Sequence, residues 1–286
     1  MHIRRMTESD IPAGMRMKEI AGWNQTTEDW LRFLKASERG CMVAEVEGRV
    51  RGTVTTIAYE DRFAWVGMVL VDPEFRGRGL GTALLETAIS CLDDAKIPTI
   101  KLDATPLGKP LYQKLGFQCE YEIERWILKR PAGKVHSETS ENKSAHILSE
   151  NLLETILTED REVFGADRSQ LLRSLHQSAP EFTLTVFENG TLRGSALGRR
   201  GSFADQLGPW TARDAGAASD LLRSFVGRSR REILLVDRLK SNAIAGSLLE
   251  SLGFEHSRML TRMYRGANEH TGRTENLCAI LGPEFG

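Results

Sequence analysis

VLVDPEFRGRGLGT, residues 69–82, is the stretch that decides the fold of this chain. It predicts a buried strand that ends near Val71, a basic loop rich in glycine, and a helix that begins after Gly79. The first N–H groups of a helix have no partner within the helix, and the helix dipole adds partial positive charge there. Glycine lets an anion approach the backbone, and Arg76 and Arg78 add full charges. The loop is therefore suited to bind a phosphate or a pyrophosphate.

Two better-known phosphate loops do not fit this spacing. A dinucleotide-binding loop requires Gly or Ala three residues after Gly79, where Thr82 stands. A P-loop requires Gly-Lys followed by Ser or Thr, but Gly108-Lys109 is followed by Pro110. Both classes of nucleotide site are excluded.

The pattern that does fit is Arg-x-x-Gly-x-Gly, which begins at Arg76. It follows a β-rich run, opens an amphipathic helix and precedes LYQKLGF at residues 111–117. With both segments in this order, the sequence resembles the GNAT family of acetyl-CoA-dependent N-acetyltransferases over about residues 2–130.

The resemblance implies where the cofactor binds. The backbone of residues 69–71 would pair with the pantetheine arm, and the N–H groups of residues 77–82 would hold the pyrophosphate. The residues it assigns to the cofactor are Val69, Leu70, Val71, Arg76, Gly77, Arg78, Gly79, Leu80, Gly81 and Thr82. One departure is visible, because the Asn that the family often places seven residues before its Tyr is Thr105 here.

The resemblance also implies a reaction, in which an amine attacks the thioester directly. Tyr112 stands where the family places the general acid that protonates the departing CoA thiolate. An amine near pKa 10 must first lose a proton, so a general base or a relayed water is needed. Glu60, Asp61 and Asp103 are the candidate bases. Asp103, at the end of a predicted strand, is assigned to the site, with a turn-capping role as its structural alternative.

The chain divides into two halves. Residues 131–145 (PAGKVHSETSENKSA) predict a polar linker between domains at 1–130 and 146–286. A Leu-Gly-Phe junction follows a predicted helix in each half, at residues 115–117 and 252–254, which indicates an internal duplication. The expected fold class is α/β (α+β), with two tandem GNAT-like domains. Each domain should have a mixed, mainly antiparallel sheet flanked by helices.

The second half predicts a degenerate copy. Its counterpart of the phosphate loop, residues 213–218, places Asp214 where the first half has a glycine of the loop. A carboxylate there would repel a pyrophosphate. Leu249 replaces Tyr112, while Asn242 keeps the Asn that the first half lost. We therefore expect this half to lack catalysis and to bind no CoA.

Composition narrows the class of partner. Lys and Arg total 38 against 39 for Asp and Glu, which argues against nucleic acid or an anionic membrane as the main partner. The four cysteines are widely spaced, which indicates neither a disulfide framework nor a metal site. We expect a soluble, cytoplasmic protein, monomeric or homodimeric, that takes a small-molecule or peptide amine and needs no metal.

The sequence leaves three interpretations open. The first is an N-acetyltransferase that moves the acetyl group of acetyl-CoA to a primary amine in a ternary complex. The second is a non-catalytic GNAT-like protein that senses acyl-CoA or a metabolite. The third, a coincidental pattern in an unrelated α/β protein, predicts no CoA binding.

Overall fold

The structure, a computed structural model, describes residues 1–37, 39–131, 145–147 and 150–286. The expected linker at 131–145 thus lies, apart from its two end residues, outside the described residues. Among the described residues, no helix is long and apolar enough to cross a membrane.

Both halves combine helices with strands. The first half contains β1 (His2–Arg5), α1 (Ile11–Ile20), α2 (Thr27–Ala36), β2 (Met42–Val46), β3 (Arg49–Tyr59), β4 (Phe63–Val71), α3 (Leu80–Asp94), β5 (Thr99–Ala104), α4 (Lys109–Lys114) and β6 (Gln118–Lys129). The second half contains β7 (Ala145–Ile147), α5 (Glu150–Phe164), α6 (Ser169–Ser178), β8 (Leu184–Glu188), β9 (Thr191–Arg200), β10 (Asp205–Ala212), α7 (Ala215–Arg228), β11 (Ile233–Leu239), α8 (Ala243–Ser251), β12 (Glu255–Gly266) and β13 (Leu277–Ala279).

The first compact unit comprises residues 1–120, 262–270 and 285. Its strands β1 to β5 pair in sequence order, antiparallel up to β4, and β4 pairs with β5 in parallel. The end of β12 lies beside β5. Apolar side chains of α3, such as Leu84 and Ala88, pack against one face of this sheet, where Val66 and Leu102 also lie. Met263 of β12 belongs to the same core.

The second compact unit comprises residues 121–261, 271–284 and 286. Its strand order is β6-β11-β13-β10-β9-β8-β7, with β10 and β11 parallel and the other pairs antiparallel. The apolar face of α7, including Leu221 and Phe225, packs on Leu234 and Val236 of the sheet. The expected fold class is confirmed, since the strands of each unit are mixed and mainly antiparallel and are flanked by helices.

The units differ from a linear division at residue 130, because each takes in a segment from the other half. Strand β6 pairs with β11 from Ile123 to Lys129, so the first half's last strand belongs to the second unit from Tyr121 onward. Residues 262–270 and Phe285, from the second half, belong to the first unit. The expected ranges 1–130 and 146–286 are therefore halves of the sequence, whereas each compact unit is composite.

Candidate active site

The predicted phosphate loop lies between the end of β4 and the start of α3. Gly77 and Gly79 have φ angles of +71° and +81°. This region of backbone conformation costs a residue with a Cβ roughly 1–2 kcal/mol. A Cβ at either position would meet nothing within 4 Å. The backbone therefore requires glycine here, and the space in front of it is open to a ligand.

The first turn of α3 faces this open space. Gly79 is the N-cap, and within the described part of the chain no side chain caps the helix. The first N–H groups of the helix, from Leu80 onward, therefore lack helical partners. The exposed guanidinium of Arg76 donates from Nε to the Val71 carbonyl at 3.2 Å. That of Arg78 lies over the Phe75 ring, 4.9 Å from its centroid. Positive charge and free donors thus meet at the loop.

A buried carboxylate anchors the loop. Asp72 accepts from the Glu74 N–H at 3.3 Å, from Arg51 Nη1 at 2.8 Å and from Arg16 Nη2 at 3.3 Å. Burial would raise the pKa of Asp72, but the Arg51 and Glu74 hydrogen bonds and the Arg16 charge hold it below its usual range. The Arg51 guanidinium also lies over Phe75, 4.5 Å from the ring centroid. The loop is therefore held in shape before any ligand binds.

Beside the loop, β4 and β5 open into a slot. They pair only at Ala64 with Ile100 and at Trp65 with Lys101, near the start of each strand. An extra residue in β4 shifts its register against β3, and Met68 at the bulge has φ of +48°. Because the Asp72 N–H bonds to β3, strand alternation turns the peptide groups of Val71 away from β3, toward the slot. An extended chain of amides could pair there.

Tyr112 lies on α4, which follows β5. Its ring packs against the apolar core around α3 and meets the Phe117 ring edge-on, with centroids 6.0 Å apart. Burial raises the pKa of Tyr112 to about 12, so the phenol stays protonated at neutral and mildly alkaline pH. No described residue hydrogen-bonds its hydroxyl. The phenol is therefore protonated and available as a donor to a ligand, as a general acid must be.

Asp103 requires a correction. Its two carboxylate oxygens accept from Arg262 Nε and Nη2, each at 2.9 Å, and its side chain has no exposed surface. A carboxylate that already accepts two charge-assisted hydrogen bonds is a poor base. These contacts argue against Asp103 as the general base and indicate a structural role, as part of the floor of the site.

The two other candidate bases lie in the turn between β3 and β4. Both are exposed, and Glu60 makes an ion pair with Arg62 in which Nε and Oε2 are 3.3 Å apart. Nothing in their contacts distinguishes one as a base, so the choice between Glu60 and Asp61 stays open.

In the second unit, the chain itself fills the matching slot. Strands β10 and β11 pair in parallel from Asp205 with Leu234 to Leu207 with Val236 and then separate. Strand β13 lies in the gap, where Ala279 pairs with Trp210 on one side and Arg238 on the other. The peptide groups that could bind an extended cofactor arm there are already paired.

The second loop also differs from the first. Only two residues separate β10 from α7, and one of them, Asp214, caps the helix by accepting from the Ala217 N–H at 2.9 Å. Arg193 Nη2 donates to the same carboxylate at 2.7 Å. Leu249, the counterpart of Tyr112, is fully buried and has no group to donate a proton. The expectation that this half binds no CoA stays a prediction, now with a second physical reason.

Sequence reasoning missed four residues that shape the first unit: Arg16, Arg51, Arg262 and Phe285. Each acts through a contact between distant parts of the chain, as Arg262 does with Asp103. Local spacing carries no signal for such contacts. The repeated Leu-Gly-Phe junction offered one clue, since it places Arg125 and Arg262 at matching positions of the two last strands.

Comparison with known proteins supports this picture. Two family models, each described as "Acetyltransferase (GNAT) domain", match residues 37–119 and 156–279. The holothin acyltransferase of a Pseudoalteromonas strain is 24% identical over 92% of this chain and 87% of its own length. The uncharacterized N-acetyltransferase YitH of Bacillus subtilis is 24% identical over 87% of this chain and 86% of its own length.

Solved structures share the architecture. A protein from Pyrococcus horikoshii has a TM-score of 0.80 at 22% identity, over 100% of this chain and 95% of its own. A GCN5-related N-acetyltransferase from Sphaerobacter thermophilus has a TM-score of 0.68 at 20% identity, over 93% of this chain and 95% of its own. These likenesses extend over both halves of the chain. The chain therefore belongs to the GNAT acetyltransferase family and carries two GNAT domains in tandem.

Proposed function

We propose that this chain is an acetyl-CoA-dependent N-acetyltransferase in which the first unit alone is catalytic. One observation carries the proposal. The slot between β4 and β5 is open beside a preformed phosphate loop, whereas its counterpart between β10 and β11 is filled by β13. Two copies of one fold thus differ at the place where a cofactor would bind.

The first unit suits a CoA thioester in two respects. The open glycines and the first turn of α3 present N–H donors to a pyrophosphate, with Arg76 and Arg78 adding charge. Beyond Trp65, no described strand pairs with the edge of β4 that faces β5, so this edge can present peptide groups to the amides of the pantetheine arm. These two subsites are adjacent along the chain, at residues 69–71 and 76–82.

Tyr112 would act as the general acid. In direct attack, the amine nitrogen bonds to the thioester carbonyl carbon, the C–S bond breaks, and the CoA sulfur leaves as a thiolate. The protonated phenol then gives its proton to that sulfur. Because the phenol has a high pKa in the free protein, this transfer depends on a preformed hydrogen bond to the sulfur. A water or one of the exposed carboxylates of the β3–β4 turn would take the proton from the amine.

The names of two relatives support acyl transfer. One is a holothin acyltransferase that aligns with most of this chain. The other is a mycothiol acetyltransferase from Acidimicrobium ferrooxidans, 31% identical over 38% of this chain. The acceptor proposed for the present chain is limited to a primary amine.

Calorimetric titration with acetyl-CoA tests the cofactor step. We expect one site per chain, lost in Gly79→Glu. Gly48→Glu is the matched control, because Gly48 has φ of +70° and a Cβ there would also meet nothing within 4 Å. Gly48 lies in the turn between β2 and β3, away from the loop. Two sites per chain, or binding by Gly79→Glu equal to the control, would contradict the assignment.

Turnover separates the enzyme from the sensor. Thiol release from acetyl-CoA is followed with a panel of alkylamines, polyamines, amino acids and short peptides. Tyr112→Phe should retain acetyl-CoA affinity and lower kcat about 10²–10⁴-fold. An unchanged rate would remove Tyr112 from its role. Tight binding with no turnover of any amine would favour the acyl-CoA sensor instead.

A further inference from the structure

Arg262, from the second half of the chain, lies at the centre of the first unit. Its guanidinium bonds both oxygens of Asp103 and lies over the Trp65 ring, 4.4 Å from the centroid. The Arg262 side chain is only 6% exposed. It therefore joins β12 to the side chains of two strands, β5 and β4.

This contact lies at the base of the open slot. Trp65 pairs with Lys101 at the last register point before β4 and β5 separate, and Asp103 follows on β5. Val66 and Leu102 lie in the core with α3, so their neighbours Trp65 and Asp103 face the other side of the sheet. A cofactor that reaches from the phosphate loop through the slot would deliver its acyl end toward this face.

Phe285, also from the second half, reaches the same unit. It is fully buried and stacks on Phe33 of α2, with ring centroids 4.7 Å apart and an interplanar angle of 16°. Its carbonyl accepts from the Tyr59 hydroxyl at 2.7 Å. Phe285 thus joins α2 to the end of β3. Along β3, Val54 faces the core around α3, so Tyr59, five residues further on, faces the other side of the sheet.

We propose that Arg262 and Phe285 are positioning residues that complete the acceptor side of the first unit. The second half of the chain thereby builds the catalytic site without performing the chemistry. Arg262 holds Asp103 and Trp65 as the floor of the site, and Phe285 holds α2 against the β3–β4 turn as one wall. This inference rests on the proposed N-acetyltransferase function.

We expect a change at Arg262 to affect amine binding and the reaction rate more than acetyl-CoA affinity. The loop, its glycines and the Asp72 anchor are formed by other residues, so acetyl-CoA should still bind when Arg262 changes. A shift of about 1 Å in the placement of an acceptor can reduce the rate about 100-fold. Without Arg262, the buried Asp103 carboxyl loses the guanidinium that bonds both of its oxygens, while the charge of nearby Lys101 remains, so its pKa should rise.

The experiment compares Arg262→Gln and Arg262→Lys with Arg265→Gln. Arg265 is on the same strand but makes an exposed ion pair, in which Nη1 and Asp93 Oδ1 are 2.8 Å apart. Acetyl-CoA affinity is measured by calorimetry, and amine KM and kcat are measured with the amine of the panel that gives the highest kcat/KM. For Arg262→Gln we expect acetyl-CoA affinity within twofold of native, a tenfold or greater rise in amine KM, and a new titration in the pH profile of kcat/KM. Arg262→Lys should recover part of the loss.

Phe285→Leu is tested beside Phe203→Leu, a change at a partly exposed phenylalanine of the second unit. We expect the first to raise amine KM about threefold to tenfold and the second to leave it unchanged. If Arg262→Gln fails to fold, Arg262→Lys and Phe285→Leu decide the question by the same KM comparison.

Two results would overturn the inference while leaving the proposed function intact. In the first, Arg262 and Phe285 variants match their controls in amine KM, rate and pH profile. In the second, acetyl-CoA affinity falls as much as amine KM rises, which would indicate damage to the whole unit. A native protein that turns over no amine would instead refute the proposed function itself, and the inference with it.

Discussion

Residues 1–130 produced alone should fail to fold. Although they contain the whole phosphate loop and Tyr112, they lack the end of β12 and Phe285, which belong to the first compact unit. The fragment therefore lacks three buried contacts of the full chain. Asp103 keeps its carboxylate but loses Arg262, Met263 leaves the core around α3, and Phe285 leaves its contact with Phe33.

The size of each loss follows from burial. Breaking a buried ion pair by removing one partner costs about 3–5 kcal/mol. Removing a fully buried Met costs about 2–5 kcal/mol, and removing a fully buried Phe costs about 3–5 kcal/mol. A domain of this size has a free energy of unfolding of about 5–15 kcal/mol. The combined loss is therefore as large as the stability that the isolated segment could have.

Circular dichroism, a thermal melt and acetyl-CoA calorimetry on the 1–130 fragment measure this directly. We expect no cooperative melt and no binding, and we expect both to return when residues 131–286 are co-produced with the fragment. A fragment that melts cooperatively and binds acetyl-CoA would refute the composite unit, since Arg262, Met263 and Phe285 would then be dispensable.

Three further predictions concern the loops. Gly79→Ala and Gly48→Ala should each lower stability by roughly 1–2 kcal/mol because both positions need a positive φ, but calorimetry should show weaker acetyl-CoA binding only for Gly79→Ala. Asp214→Gly should leave the titration at one acetyl-CoA per chain, because β13 still fills the second slot; a second site in this variant would contradict that role of β13. The pKa of Asp72 is lowered in the folded protein, so its ionised carboxylate stabilises the fold. This stabilisation is complete above the ordinary Asp pKa near 3.9 and is lost as the pH falls through the pKa of Asp72 in the folded protein. Acid melts of Asp72→Asn should therefore lack this component, and identical pH dependence in the two proteins would count against the anchor.

Local patterns predicted much of the first unit. The expected strand at residues 64–71 is observed at Phe63–Val71, and the helix expected after Gly79 begins at Leu80. These features follow from short-range causes: apolar runs form strands, and glycine supplies the positive φ at a tight loop. The other cofactor residues were assigned from the resemblance of residues 76–81 and 111–117 to the GNAT family, and that assignment stays a proposal.

Distant contacts could not be predicted in this way. Nothing about the neighbours of Asp103 announces that Arg262 will take both of its oxygens, because the two residues are 159 positions apart. The strand β13 was equally unexpected, since a strand of three residues is too short to show a periodicity in the sequence. Its identity as a strand comes from the pairing partners on either side of it. Such features depend on tertiary pairing, which a single sequence does not display.

Because each compact unit includes a segment from the other half of the chain, the order in which the protein can fold during translation is also affected. Domains ordinarily fold one after another as they leave the ribosome, at about 5–20 residues per second. Here the N-terminal unit must wait for residues 262–270 and Phe285, although its loop and helix α3 are made much earlier. At that pace the delay is on the order of ten seconds or more, during which β5 is an unprotected sheet edge. A nascent chain of this kind is a candidate for chaperone binding, and slow synthesis of its second half would lengthen the exposure.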